Sequence, residues 1–140
     1  MDQLETFIKH SPAGVYCNGV ITPDYPDALR NGFYIILLHG ENGAENHCAG
    51  LIVRCNLAYY FDSLGESNSY GRVKPLLTRI KTIFNVRGVQ GDRGICSMYV
   101  LYFFVRRAEG ATFEEFLDEF GEIGNDNDRY VIRKTRRYMV

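Results

Sequence analysis

The chain has 140 residues, 46% hydrophobic and 24% charged, with sixteen Lys and Arg against seventeen Asp and Glu for a formal charge of −1. These figures describe one domain with a sizeable core and exclude wholesale disorder, collagen-like repeats and a generally basic nucleic-acid coat. The longest apolar runs, 33–38 and 98–105, are too short to cross a bilayer, and the four cysteines (Cys17, Cys48, Cys55, Cys96) form no CxxC pair, so neither a membrane span nor a zinc ribbon is expected.

Residues 2–10 predict a short helix with Leu4, Phe7 and Ile8 on one face, ended by Ser11-Pro12. The opening Met1-Asp2-Gln3-Leu4-Glu5 has neither the basic start nor the apolar run of a secretory signal, so an intracellular, reducing setting with free thiols is expected. Residues 13–32 read as irregular, punctuated by Gly14, Gly19, Pro23, Pro26 and Gly32, and 33–38 as a buried strand. A polar loop over 40–46 leads to strands 48–54 and 57–61, joined as a hairpin through Cys55-Asn56. Asp62-Ser63-Leu64-Gly65 closes the second strand.

Helical spacing over 72–84 turns Val73, Leu76, Leu77, Ile80, Ile83 and Phe84 inward, with Pro75 in the first turn. A short strand over 86–89 and a loop over 90–94 precede a buried helix, 95–108, that ends in Arg106-Arg107. Thr112 and Glu115 form a capping-box signature for a helix with the stripe Phe113, Phe116, Leu117 and Phe120, closed by Gly121. Asp126 or Asp128 caps a last helix running to about Tyr138. The order predicts a single α+β domain spanning 1–140, with a small, mixed, mostly antiparallel sheet flanked by helices.

Four residues stand out chemically. Cys96 opens the buried helix, where the helix N-terminus lowers a thiol pKa and offers backbone N–H groups to an anion. His47 stands at a loop-to-strand junction and Asp62 at the end of the next strand, so the hairpin brings the two side chains within hydrogen-bond reach. Gln90 lies six residues before Cys96 and carries an amide that can donate to an oxyanion. Taken singly, each has a plainer reading: a packed thiol, a surface histidine, a turn aspartate and a polar loop residue. Cys17, Cys48 and Cys55 read as packing residues, with Cys48 projecting to the face of its strand opposite His47. His10 and His39 read as structural or solvent-exposed.

The order His47, Asp62, Gln90, Cys96 resembles the adenain and Ulp1-like clan of cysteine proteases. The segment Tyr59-Tyr60-Phe61-Asp62-Ser63-Leu64-Gly65 is similar to the clan's strand ending in its acidic residue, and 99–104 to its central helix. Gly14-Val15-Tyr16, Phe116 to Phe120 and 125–131 are similar to the maturation proteases of adenoviruses, virophages and Maverick-type elements. Where the clan carries Trp after the His, and often Asp before and Gly after the nucleophile, this sequence has Cys48, Ile95 and Ser97.

The resemblance implies a papain-like fold and a cysteine endopeptidase with no required cofactor, cutting near small residues such as Gly. In it Cys96 is the nucleophile, His47 the base, Asp62 its orienter and Gln90 an oxyanion donor. Its substrates would be polypeptide precursors of viral or mobile-element particles, met in the host nucleus, a cytoplasmic virus factory or the virion. No match exists for the cysteine through which an activating peptide is linked in adenovirus protease. The oligomeric state is open. Arg129, Arg133, Lys134, Arg136 and Arg137 form a basic segment that reads first as a solvated helix face. The resemblance adds a DNA or peptide activator as an expectation, with Arg72, Lys74, Arg79 and Lys81 as contributors to the same patch. Two alternatives stay open: a protease for ubiquitin-like modifiers, and a catalytically weakened DNA-binding capsid component.

Overall fold

In the computed structural model, which describes residues 2–39, 46–92 and 94–139, the run read as a buried strand becomes β2 (Gly32–Leu38). Nearly all of the predicted 40–46 loop, and Arg93, lie outside the described residues, as do the side chains of Asp2 and of 66–70. β3 (His47–Arg54) and β4 (Leu57–Phe61) follow as the expected hairpin. Cys55 and Asn56 take φ of +52° and +64° at its two-residue turn, a left-handed pair that matches the twist of the strands. Cys55 is exposed there, so it does not pack as expected.

The sheet runs β1-β2-β3-β4-β5. Its two antiparallel ladders, β2 with β3 and β3 with β4, are the longer ones, and each edge strand joins in parallel. Both edge strands correct the sequence reading. β1 (Cys17–Ile21) lies in the stretch read as irregular; Gly19, at φ +106°, accompanies the register shift that interrupts its ladder, so no period-two pattern marks it. β5 (Lys81–Phe84) occupies the end of the segment read as one helix, while 86–89 forms no strand and leaves Val86 76% exposed. A short apolar run fits either period, and pairing with β4 decides for strand.

The helix itself, α2, spans Glu66–Leu77, six residues earlier than expected, and Pro75 falls in its last turn rather than its first. Val73, Leu76 and Leu77 are buried as predicted, whereas Ile83, now on the edge strand, is 41% exposed.

Side chains alternate across the sheet, and both faces are covered. Phe33, Ile35, Cys48, Ile52 and Phe61 pack on one side with α1 (Asp2–Lys9), α3 (Cys96–Ala108), α4 (Phe113–Asp118) and α5 (Gly124–Thr135). Tyr34, Ile36, Leu38, Leu51, Val53 and Tyr60 pack on the other with α2. This is why β2 and β3 read as unbroken apolar runs. An aromatic cluster binds the helical layer to the sheet, with Phe116 at 4.9 Å from the Phe61 ring and 5.2 Å from both Phe103 and Phe120. Thr112 and Glu115 make the capping box foreseen for α4, with both backbone N–H groups satisfied at 2.9 and 3.1 Å. α4 ends at Asp118, ahead of Gly121. The N-cap of α5 is Ile123, so Asp126 and Asp128 lie within the helix rather than capping it. No described helix is long and apolar enough to cross a membrane.

Candidate active site

The hairpin fixes His47 and Asp62. His47 pairs with Leu38 at the start of β3, and Gly50 pairs with Phe61. Continuing that register sets Asp62 level with Ala49, two residues from His47 on the same side of the pleat. The two side chains therefore meet on a diagonal rather than directly across, and His47 Nε2 lies 2.7 Å from Asp62 Oδ1. The Asp62 side chain is fully buried and that of His47 14% exposed. The Asp62 carboxylate also accepts the Leu64 N–H at 2.9 Å. Asn85 holds the Asp62 backbone from both sides: its Oδ1 accepts the Asp62 N–H at 2.9 Å and its Nδ2 donates to the Asp62 carbonyl at 2.6 Å. Nothing in the sequence singled out Asn85, whose only signal is a buried amide one residue after β5.

Cys96 is the first residue of α3, and its N-cap, Ile95, supplies no side-chain acceptor to the first turn. The thiol is half-buried and pulled well below its usual range. The Cys48 thiol is the largest influence, burial opposes it, and His47 and the Cys48 backbone amide add to the lowering. Burial works against a charge on His47, but hydrogen bonds and charge at Asp62 and Cys96 overcome it and raise the imidazole to about 9. With Nε2 committed to Asp62, Nδ1 is the ring nitrogen left for Cys96. The structure thus brings Cys96, His47 and Asp62 together.

Gln90 joins through the residue after Asp62. Ser63 Oγ donates to Gln90 Oε1 at 2.5 Å, and the Ser63 carbonyl accepts the Val89 and Gln90 N–H groups at 2.8 and 2.9 Å. With its oxygen engaged, the Gln90 amide keeps its N–H groups for another acceptor. The far side of this loop is held by α5 and α3. Asn127 Nδ2 donates to the Val89 carbonyl at 3.0 Å, and Tyr99 Oη lies 3.3 Å from the same oxygen. Asp128 Oδ1 accepts the Gly91 N–H at 2.8 Å and Tyr99 Oη at 2.6 Å. Asn125 accepts the Asp92 N–H at 3.1 Å.

Cys48 is the residue sequence reasoning underrated. The pleat does turn it to the face opposite His47, but α3 begins on that face. It packs in the core as expected, and its buried Sγ also lies 3.2 Å from Cys96 Sγ. The Cys96 sulfur, and burial after it, keep its own proton on, well above the ordinary thiol range. Cys17 packs half-buried against the helical layer as expected. His10 and His39 are exposed.

A cavity of about 420 Å³ opens beside Cys96, walled by Leu4, Phe7, Leu37, Met98 and Leu101. A larger one of about 650 Å³, reached from Tyr16, Arg54 and Arg107, contains none of the four candidate residues. Among the described residues no cluster of His, Cys, Asp and Glu could hold a metal ion.

The five basic residues of the C-terminal segment are exposed along α5 and the 3-10 turn that follows it. Arg129 pairs with Asp126, Arg133 and Lys134 lie 5.5 Å from the Tyr130 ring, and Arg137 lies 5.1 Å from that of Tyr138. Arg72 and Arg79 do not extend this patch. They sit with α2 on the other side of the sheet, bound to the carbonyls of His39, Asp27 and Tyr25.

No family model matches the chain, and no curated protein matches it. Among solved structures, the crystal structure of ASFV pS273R protease aligns with a TM-score of 0.41 at 21% identity, covering 76% of this chain and 44% of that one. A selenomethionine form of ASFV pS273R protease aligns with a TM-score of 0.38 at 19% identity, covering 72% and 42%. The chain spans less than half the length of these solved structures.

Proposed function

We propose that this chain is a cysteine endopeptidase, and the observation that carries the reading is His47 held at 2.7 Å by a buried Asp62 while its other ring nitrogen is left for Cys96 at a helix N-terminus. A lowered thiol beside a raised imidazole favours the thiolate–imidazolium pair, which supplies a nucleophile and a stored proton together.

In this reading the Cys96 sulfur attacks the scissile carbonyl carbon. The developing oxyanion is met by the Gln90 amide and the Cys96 backbone N–H. His47 passes its proton to the departing amine, and the thioester left on Cys96 is hydrolysed by a water that His47 activates. Asp62 holds the ring in register and stabilises its charge. Ser63 keeps the Gln90 oxygen turned away so that the amide nitrogen serves as donor. Resemblance adds cleavage beside small residues in precursors of viral or mobile-element particles.

Two measurements test this. Alkylation near pH 7 with peptide mapping, in a Cys55→Ser background to remove the exposed thiol, is expected to modify Cys96 first and to slow at least ~10-fold in His47→Ala. Cleavage of small-residue peptides, run against ubiquitin-like C-terminal conjugates, is expected to fall about 10⁴-fold or more in Cys96→Ala. Alkylation of every cysteine at one rate, indifferent to His47, would sink the enzyme reading.

A further inference from the structure

Two sulfurs in contact at one site, from residues 48 positions apart, are an arrangement the peptidase chemistry does not use. Cys48 is fully buried on β3, and Cys96 is half-buried with the 420 Å³ cavity at its side, so small solutes reach the second thiol and not the first. The approach is built into the fold. Gly50, two residues along β3 on the face of Cys48, lies against α3 so closely that a Cβ there would stand 2.8 Å from the Phe103 ring. Closing 3.2 Å to the ~2.05 Å of a disulfide asks for movement of roughly 1 Å. Among the described residues no other pair of cysteine sulfurs is in contact: Cys17 lies on β1, and Cys55 is exposed at the hairpin turn.

We propose that Cys48 is the resolving thiol of a reversible oxidation site at Cys96, taking a small peroxide as oxidant and closing a Cys48–Cys96 disulfide. The steps balance. The Cys96 thiolate attacks one oxygen of hydrogen peroxide, the O–O bond breaks, and Cys96 becomes a sulfenic acid as hydroxide leaves and takes up a proton to become water. The Cys48 sulfur then attacks the sulfenic sulfur, and its own proton leaves with the departing hydroxide as a second water. Two electrons pass from the two thiols to the peroxide. A dithiol reductant reverses the change by exchange at the cavity-facing sulfur. The disulfide occupies the candidate nucleophile and spares it from the irreversible sulfinic and sulfonic states. The disulfide itself stands on the sulfur geometry; only its effect on activity rests on the peptidase reading above.

The test oxidises the reduced full chain with hydrogen peroxide and maps peptides without reduction, alongside Cys48→Ser and Cys48→Ala. In the unsubstituted chain the peptides bearing Cys48 and Cys96 are expected to be joined, with complete loss of peptide cleavage that dithiothreitol restores. Both variants are expected to carry Cys96 on to sulfinic and sulfonic acid, with a loss that dithiothreitol does not restore. Joined peptides from a chain that cleaves nothing even when reduced would keep the disulfide and remove the peptidase reading. Cleavage by the reduced chain with no joined peptide, or with Cys96 over-oxidised as fast as in the variants, would overturn the resolving role.

Discussion

His47 lies between two groups that both favour its charged form, and the pH dependence of the site follows from that position. The imidazole is raised to about 9 and the Cys96 thiol is lowered, so between the two the pair exists as imidazolium and thiolate. As pH falls through the lowered thiol value, the nucleophile is protonated. As pH rises through about 9, His47 loses the proton it must give to the leaving amine. Peptide kcat/KM is therefore expected to stay high through neutrality and to fall above about pH 9. Asp62→Asn removes the charge but keeps the shape, so the alkaline limb should move down by roughly 1–3 pH units. A limb that stays in place in this variant would take the charge-stabilising role away from Asp62. The neutral-pH thiolate absorbance expected of the pair should vanish in Cys96→Ala and weaken in His47→Ala.

At the scale of elements, the Gln90 loop carries no regular structure of its own and depends on three neighbours. The end of β4 holds it through Ser63, α5 through Asn127 and Asp128, and α3 through Tyr99. Asn127→Ala would leave the buried Val89 carbonyl short of a donor and also cut the bonds that Asn127 makes with Gly121 at 2.8 and 2.9 Å. It is expected to lower unfolding free energy by about 1–3 kcal/mol. Through a loosened Gln90 it should lower kcat more than it raises KM, whereas a merely structural loss would leave the kinetics of the folded fraction unchanged. Denaturant unfolding and steady-state kinetics on one preparation separate the two outcomes. The run Asn125 to Asp128 was legible as a helix cap and a family-like segment but not as a clamp, since its partners on the Gln90 loop lie 33 to 38 residues away. The helix and hairpin that carry Cys96, His47 and Asp62 were legible because strong apolar runs form them and a glycine-containing loop and a tight two-residue turn bound them. β1 and β5 were not, because each is stabilised by a neighbour strand rather than by its own pattern.

At the scale of the molecule, the candidate site is a seam: β3 brings His47 and Cys48, α3 brings Cys96, and their spacing is set by how closely the helix lies on the sheet. Gly50 sets that spacing, because any side chain there meets Phe103 at 2.8 Å and Phe104 at 3.1 Å. The aromatic cluster behind Phe103 fills the layer and leaves little room to yield, with Phe61 and Phe116 rings at 5.3 and 5.2 Å. Gly50→Ala is therefore expected to cost about 1–3 kcal/mol through overpacking. It should also slow Cys96 alkylation by moving the thiol away from Cys48 and His47, although residue 50 touches none of the reacting groups. Phe103→Leu relieves the clash, so the double variant should be more stable than the sum of the single effects by at least ~0.5 kcal/mol. A recovery of alkylation rate along with stability would show that helix-to-sheet spacing sets the reactivity of Cys96. Stability recovered without the rate would place the control of that thiol in the local contacts at Cys48 and His47 instead.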